Sequence, residues 1–496
     1  MAEVVLFRPS DSALGSAAGR YPLGLIFVAT PLVNKGFSVR IIDTGTHTDW
    51  RPLLKDAVDS STICAGVGTV TGRQIKSALE FSKAVKDIRD IPVVWGGIHP
   101  SLLPEQTLRN ELVDIVVAGE GEERFLKIVE GIKAKSDLGG IRGIFFKKDG
   151  AIRDTAPEED FIDLNTLSFP AYDLVDVDYY SSRYIPWMGK KRRYIDIHLD
   201  RGCPHRCGFC YNSEFNKRRY RAIPADKALD IIEEAIGRYK IDAVNFVSDE
   251  FFVDNKRVFD ICKGMIDRGL DINWCSNMRI DALLRYDDDL LKLMERSGCK
   301  ILSFGVESGS NRVLEQIEKD MTVDDVLKAD EKIKRFSFLV DYYFVIGFPE
   351  ETKEDIGESL KLMQVLRQNK KAVVRKAQTF CPYPGTPLYH KSLKMGFNAP
   401  ECLEDWADFN TNVYSKLPWF DRPFKSYLDE VQFFSTAASI RPGKRSGIRL
   451  VTHLLFKRYC EWRFLRLVRG IASGNFDVKI IKLFTRLRNF LKLYFS

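Results

Sequence analysis

The chain has 496 residues, enough for about three domains of roughly 150 residues and several buried cores, which excludes a small disulfide-stapled scaffold. Hydrophobic residues make up 45% and charged residues 29%, with 34 Gly and 20 Pro, the balance of a folded chain rather than a disordered or collagenous one. The net charge of +7 belongs to the tail: residues 441–496 carry fourteen basic and two acidic residues, so the body to residue 440 nets about −5, which argues against an extensive nucleic-acid channel and for a local contact with an anionic surface.

The start, MAEVVLFRPSDS, has no charged n-region, and no stretch reaches about 18 uninterrupted apolar residues, so a cytoplasmic protein is expected. Ten cysteines in that compartment imply thiols or metal ligands before disulfides. Residues 3–7 form a short apolar run. PLGLIFVATPLVNKGFSV followed by RIIDT reads as a helix, a glycine stop and a second strand. TICAGVG, QIKSALEFSKAVKDI and IPVVWGG repeat the alternation, and DIVVAGEGEERFLKIVEGI adds another strand and helix. Strands feeding helices at this spacing predict a parallel sheet covered on both faces over residues 1–150. Ligands of such a sheet sit beyond its carboxyl ends, where Gly66, Gly68, Thr69, Thr71, Gly96, Gly97, His99, Gly119, Glu120, Gly121 and Glu122 fall. With neither GxGxxG nor GxxxxGK[ST], a nucleotide phosphate is not the obvious guest, and tight turns are the alternative for each glycine.

Residues 151–190, rich in Asp, Pro and Tyr, read as a linker wrapped over the surface. YIDIHLDRGCPHRCGFCYN then places Cys203, Cys207 and Cys210 in a loop directly after a strand, at intervals of four and three. Three such thiolates can fill three corners of a tetrahedral metal site, or hold three irons of a four-iron cluster with the fourth iron open. A structural zinc needs a fourth ligand, His205 is awkwardly placed, and no second CxxC or HxxxH follows, so the pattern favours the open cluster over zinc or incidental cysteines.

The spacing CxxxCxxC, with Phe209 and Tyr211 around the last cysteine, resembles the signature of the radical S-adenosylmethionine (radical SAM) enzymes. AVNFVSDEFFVDNKR, INWCSNMRID, ILSFGVESGSNRVL, YYFVIGFPEET and AQTFCPYPGTPLY look like the later strand ends of that family's partial (β/α)6 barrel, over residues 191–395. The resemblance implies that Cys203, Cys207 and Cys210 bind a [4Fe-4S] cluster whose free iron chelates S-adenosyl-L-methionine, giving a 5′-deoxyadenosyl radical on reduction. By the same resemblance, Phe209, Tyr211, Glu307 and Ser308 are cofactor contacts and Arg279 partners the methionine carboxylate, with rim salt bridges as the alternative for Glu307 and Arg279. Gly347 and Pro349 shape a turn near the cofactor. Asp249 and Glu250 face the mouth, for substrate or for structure.

PLGLIFVATPLVNKG, GVGTVT, VVWGGIHPSLLPEQTL and VDIVVAGEGEERF resemble the cobalamin-binding domain fused upstream of radical SAM enzymes, the group that includes the anaerobic magnesium-protoporphyrin ester cyclase and many cobalamin-dependent methylases. The fold expected is therefore α/β: an N-terminal Rossmann-like cobalamin-binding domain, the partial radical SAM barrel and a mostly helical C-terminal region. The family's lower-face histidine motif DxHxxG is missing from RPSDSALGSAAG, where Asp11 and Gly15 do not restore the spacing, so cobalamin is expected base-off, with His99 a turn residue or a seat for the corrin. The resemblance implies a C-methyltransferase that sends a methyl group from cobalt to a substrate carbon radical, or alternatively a cyclase or other oxidoreductase using the same cofactors on a porphyrin-like or lipid-like substrate. A reducing protein such as flavodoxin or ferredoxin is the expected partner. A carrier role is countered by the intact cysteine triad. A methylthiotransferase is countered by the upstream domain, which lacks that group's cysteines.

Residues 396–440 suggest a lid or substrate wall, with Trp406, Asp408 and Asn410 as ligand contacts or packing. Cys381 and Cys402 stand isolated. LVTHLLFKRYCEWRFLRLVRG and FDVKIIKLFTRLRNFLKLYFS, in 441–496, are basic amphipathic segments for the inner face of an anionic membrane or for the enzyme's own apolar face.

Overall fold

The first sheet grows from alternating apolar residues. In β1 (Val4–Arg8), Val4 and Leu6 enter one core while Val5 and Phe7 enter the core on the opposite face, the period of two that a doubly covered strand requires. The remaining strands are β2 (Val39–Asp43), β3 (Cys64–Gly68), β4 (Val93–Gly96), β5 (Ile115–Val117), β6 (Ile144–Lys148) and β7 (Ala151–Asp154), in the order β2-β1-β3-β4-β5-β6-β7. The computed structural model describes residues 1–10, 20–155, 161–182, 192–409, 416–437, 448–471 and 478. Asp11, Gly15, Asn410 and most of the last basic segment lie outside them.

Pairing is parallel from β2 to β5, as the sequence predicts, but β6 and β7 add an antiparallel hairpin. Its turn is Asp149-Gly150, with φ of 52° and 74°, a dipeptide that favours a two-residue hairpin. The sheet thus runs to Asp154.

The described part of the Tyr-rich segment after it is mostly exposed or half-buried, and it is anchored at a few buried points. Tyr172 and Tyr180 are fully buried and join the second core, because their hydroxyls find Asp196 O at 2.6 Å and the Asp43 carboxylate. These rings wedge the two halves together.

The second sheet contains β8 (Tyr194–Ile197), β11 (Ala243–Phe246), β12 (Asn273–Asn277), β13 (Cys299–Glu307), β14 (Leu339–Ile346) and β15 (Ala372–Thr379), all parallel and adjacent in that order. Between β8 and β11, two short strands, β9 (Asp200–Arg201) and β10 (Arg221–Ala222), pair antiparallel. Amphipathic helices at Ala225–Tyr239, Asn255–Asp267, Asp288–Arg296, Val323–Ile333 and Lys353–Leu366 connect the six, the last two opened by Thr-Asp capping boxes at Thr322 and Thr352. This is the six-stranded partial barrel.

The C-terminal region is mostly helical. Its first part does not wall the barrel mouth: Phe397, Leu403, Trp406 and Phe409 pack into the first sheet's core with Trp50, Phe81 and Trp95, and the Trp406 indole donates to Gln106 Oε1 at 2.7 Å. Asp408 stays exposed. Helix Arg422–Ala437 lies beside β15, and helix Ile448–Val468 packs on it. A buried ion pair, Arg463 with Glu430, joins those two helices. The first basic segment is therefore committed on one face to the enzyme itself. Among the described residues, no helix is long and apolar enough to cross a membrane.

Candidate functional site

Cys203, Cys207 and Cys210 follow β9 on a loop held at several points. Gly202 N–H donates to Asp249 Oδ2 at 2.8 Å, Gly208 N–H to Ile317 O at 2.9 Å, and Leu388 N–H to Gly208 O at 2.8 Å. Gly202 has φ of 81°, and a Cβ there would stand 1.9 Å from Arg219 O, so only glycine fits the entry to the loop. All three cysteines are free thiols. Burial pushes Cys203 up to about 12 and Cys210 up to about 11, so thiolates form here only against positive charge.

Two cations stand ready. Arg279 donates Nη1 to Cys207 Sγ at 3.6 Å, Nη2 to Lys319 O at 2.7 Å and Nε to Asp281 Oδ1 at 2.7 Å. Lys319, buried, pairs with Glu307 at 2.9 Å and lies 5.9 Å from the centre of the Phe209 ring. Arg279 and Glu307 thus occupy rim ion pairs. Burial opposes the charge on Lys319, but Glu307 and Cys207 outweigh it and hold the ammonium above its ordinary pKa. Among the described residues, no group of three His, Cys, Asp or Glu side chains is arranged to hold a single metal ion. His205 faces Asp281 at 3.9 Å, and burial pushes it down to about 4. Three free cysteines on one pinned loop beside buried cations fit a multi-iron cluster, which spreads its thiolates wider than a tetrahedral zinc does.

The other anticipated side chains surround that loop. Phe209 lies against Phe348 at 5.8 Å between ring centres. Tyr211 donates to Asp249 Oδ1 at 3.2 Å, so Asp249 ties down both ends of the cysteine loop. Glu250 is buried, and burial pushes its carboxyl up to about 8. Ser308 is buried, 3.2 Å from Ser359 Oγ. Gly347 and Phe348 donate their N–H groups to Glu351, closing the turn that contains Pro349. Cys381 is partly buried, and Cys402 is exposed.

A cavity of about 690 Å³ lies between the carboxyl ends of both sheets. Gly66 and Gly68 of β3 with Thr69 after it, Gly96 at the end of β4 with Gly97 after it, and Gly119, Glu120, Gly121 and Glu122 after β5 line it from the first half. Tyr211, Asp249, Asn277 and His198 line it from the barrel. Gly97, with φ of 94°, lets Thr69 pass where a Cβ would come within 2.7 Å of its carbonyl oxygen. Thr69 Oγ1 is buried with no hydrogen-bond partner, an orphan in the wall of a cavity large enough for a bulky amphipathic ligand. These features fit a cofactor rim for cobalamin.

Thr71 and His99 do not line this cavity. His99 Nδ1 meets Thr71 Oγ1 at 3.0 Å and its ring lies edge-on to Trp406 at 5.5 Å. Burial pushes His99 down to about 4, so it is neutral. The Glu120 carboxylate is engaged by Arg201 and Arg221; burial raises its pKa, but the arginines prevail and lower it.

Sequence reasoning missed His198, Arg201 and Lys319. Burial and then Arg201 push His198 down to about 3, which keeps the imidazole neutral in the cavity wall. His198 and Arg201 flank a strand end two to five residues before Cys203, and that proximity was the available signal. Lys319 lies twelve residues beyond Glu307, and only the return of its helix brings the two together.

Residues 197–363 match the family model of the radical SAM superfamily, and residues 17–129 that of the B12 binding domain. The chain is 30% identical over 400 residues to an uncharacterised methyltransferase of Pyrococcus horikoshii, covering 79% of this chain and 83% of that relative. It is 28% identical over 289 residues to the anaerobic magnesium-protoporphyrin IX monomethyl ester cyclase of Rubrivivax gelatinosus, covering 57% of this chain and 50% of the cyclase. Among solved structures, the radical SAM methyltransferase TsrM of Kitasatospora setae, with cobalamin and a [4Fe-4S] cluster bound, shares the fold. Its TM-score is 0.65 at 18% identity, over 80% of this chain and 75% of that one.

Proposed function

The chain belongs to the cobalamin-binding radical SAM enzymes, and from that premise we propose that it makes a carbon radical on an apolar substrate held between its two halves. Its cofactors are a [4Fe-4S] cluster, S-adenosyl-L-methionine and cobalamin, and it acts through a 5′-deoxyadenosyl radical. When bound, the cluster supplies the electron that opens S-adenosylmethionine, and cobalamin supplies a cobalt that can carry a methyl group or an electron.

One observation carries the reading. A single cavity is walled by the glycine rim of the first half and by Tyr211 and Asp249 beside the cysteine loop, so both cofactor sites address the same space. In this proposal Cys203, Cys207 and Cys210 hold the cluster, Arg279 and Lys319 offset its charge, and the Gly66, Gly96 and Gly119 loops seat the corrin. His99, turned to Trp406 and outside the cavity lining, would be a packing residue rather than a seat for the corrin. Asp249 fixes the loop and Tyr211 helps exclude water.

The fate of the radical that we favour is oxidation or ring closure, supported by a relative named for such a reaction, the Rubrivivax cyclase. Methyl transfer is the second reading, favoured by the near full-length match to the Pyrococcus methyltransferase. The family requires an external reductant, for which we propose a flavodoxin or ferredoxin. We further propose contact with an anionic lipid surface: Leu455 and Trp462, 61% and 50% exposed, stand on the free face of helix Ile448–Val468, with Arg466 5.0 Å from the Trp462 ring.

Anaerobic turnover with methyl-labelled S-adenosylmethionine and cell extract tests both fates. 5′-Deoxyadenosine with an altered, unlabelled product supports oxidation or cyclisation. A labelled product with S-adenosylhomocysteine refutes it in favour of methyl transfer. Absence of 5′-deoxyadenosine from reduced, cofactor-loaded enzyme refutes the radical itself.

A further inference from the structure

Arg201, two residues before Cys203, lies where the first half meets the barrel through Glu120. Arg201 on β9 and Arg221 on β10 stand directly opposite each other in a ladder of two residue pairs. Like charges so placed repel. They are tolerated because the first half sends two carboxylates between them. Glu120 Oε1 accepts from Arg201 Nη1 at 2.9 Å and from Arg221 Nη2 at 2.9 Å; its Oε2 accepts from Arg221 Nη1 at 3.1 Å and from Ile162 N–H at 3.0 Å. Glu122 Oε1 accepts from Arg201 Nη2.

Water is largely kept out. The Glu120, Glu122 and Arg201 side chains are 3%, 5% and 12% exposed, and the rings of Phe27 and Phe161 lie under Arg201 and Arg221 at 5.3 and 4.2 Å. Two cations and two anions balance, which is the condition for such charges to leave water.

Glu120 lies between Gly119 and Gly121 on the rim proposed for the corrin, and its carboxylate has no acceptor position left for a ligand. Arg201 is separated from Cys203 only by Gly202, whose N–H is fixed by Asp249. A shift of the rim loop must therefore move Arg201, and with one residue intervening there is no slack before the cysteine. A buried fork of this kind has few alternative arrangements, so it transmits displacement rather than absorbing it.

We infer that Glu120, Glu122, Arg201 and Arg221 are positioning residues that couple the rim loop of the cobalamin-binding half to the cysteine loop of the radical half, so that filling one site changes the affinity of the other. The coupling rests on the family and on the placement of both cofactors, and it is independent of the fate of the substrate radical.

The test is the hydroxocobalamin dissociation constant of the full-length protein, measured anaerobically before and after cluster reconstitution. In the wild type, reconstitution is expected to change that constant by about tenfold, within the usual range of coupling between sites. In Glu120→Gln, which removes the charge and keeps the shape, the ratio is expected to fall below about twofold, with iron and sulfide per chain unchanged. A merely structural joint would weaken binding equally in both states and leave the ratio intact. Arg221→Lys keeps the charge and loses the fork, and its ratio is expected between the two; it serves where Glu120→Gln does not fold. A wild-type ratio of one, or a variant ratio equal to the wild type's, overturns the inference.

Discussion

Replacing Gly202 by alanine tests whether the cysteine loop owes its shape to a backbone contact. At a φ of 81° an L-residue pays the left-handed penalty of about 1–2 kcal/mol. The added Cβ also meets Arg219 O at 1.9 Å and must open that gap to at least 3.0 Å, against a backbone atom that cannot rotate away. Overpacking of this kind costs about 1–3 kcal/mol more. Gly269 supplies the control: its φ is 65° and nothing lies within 4 Å of its would-be Cβ, so Gly269→Ala pays the first cost alone. Because Gly202 is adjacent to Cys203, displacement there reaches the thiols before it reaches the core. Gly202→Ala is therefore expected to lose most of its iron and sulfide on anaerobic reconstitution and to melt several degrees lower. Gly269→Ala should retain its iron and melt with only the smaller loss. Equal iron content and equal melting temperatures in the two variants would refute the steric argument.

Glu351 is buried, and burial pushes its carboxyl from 4.5 up to about 8 although the Gly347 and Phe348 amides favour the anion. Between those values the native state holds a proton that the unfolded chain has released, so this group's contribution is full below pH 4.5 and is lost as pH rises toward 8, on the order of a few kcal/mol. Glu351→Gln should remove that slope in urea midpoints measured at pH 5, 7 and 9; an unchanged slope counts against it. Trp406→Ala empties a fully buried site and is expected to cost about 3–5 kcal/mol and to expose residues 397–409 to protease, with cluster content preserved. Loss of the cluster instead would mean that this segment supports the barrel directly. Breaking the pair of Arg463 (2% exposed) and Glu430 (1%) by Arg463→Met alone should cost about 3–5 kcal/mol, and adding Glu430→Leu should recover most of it. A double variant as unstable as the single one would show that the helices are held by other contacts.

Local chemistry was legible in the residues themselves. Three cysteines at intervals of four and three resemble the family's cluster motif without reference to any remote residue, and strands of period two feeding helices predict a parallel sheet. The antiparallel hairpin β6–β7 was not anticipated, although its Asp149-Gly150 turn is a local signal that the parallel-sheet reading passed over. What the sequence left open was burial set by remote neighbours. Tyr180 of the linker is buried because Asp43, 137 residues away, accepts its hydroxyl, and Trp406, for which ligand contact and packing both stood open, packs because Gln106, 300 residues away, accepts its indole.

The same division runs through the site. Cys203, Cys207 and Cys210 follow from spacing, whereas the pairing of Arg201 with Glu120, 81 residues earlier, follows only from two domains meeting. A charged residue carries no mark in sequence of whether it will face water or a counter-charge, since that depends on which surfaces close over it. The motif and the period of apolar residues thus determined the chemistry and the layers of this protein. Tertiary structure decided which charges are buried together, and with them how the two cofactor loops are joined.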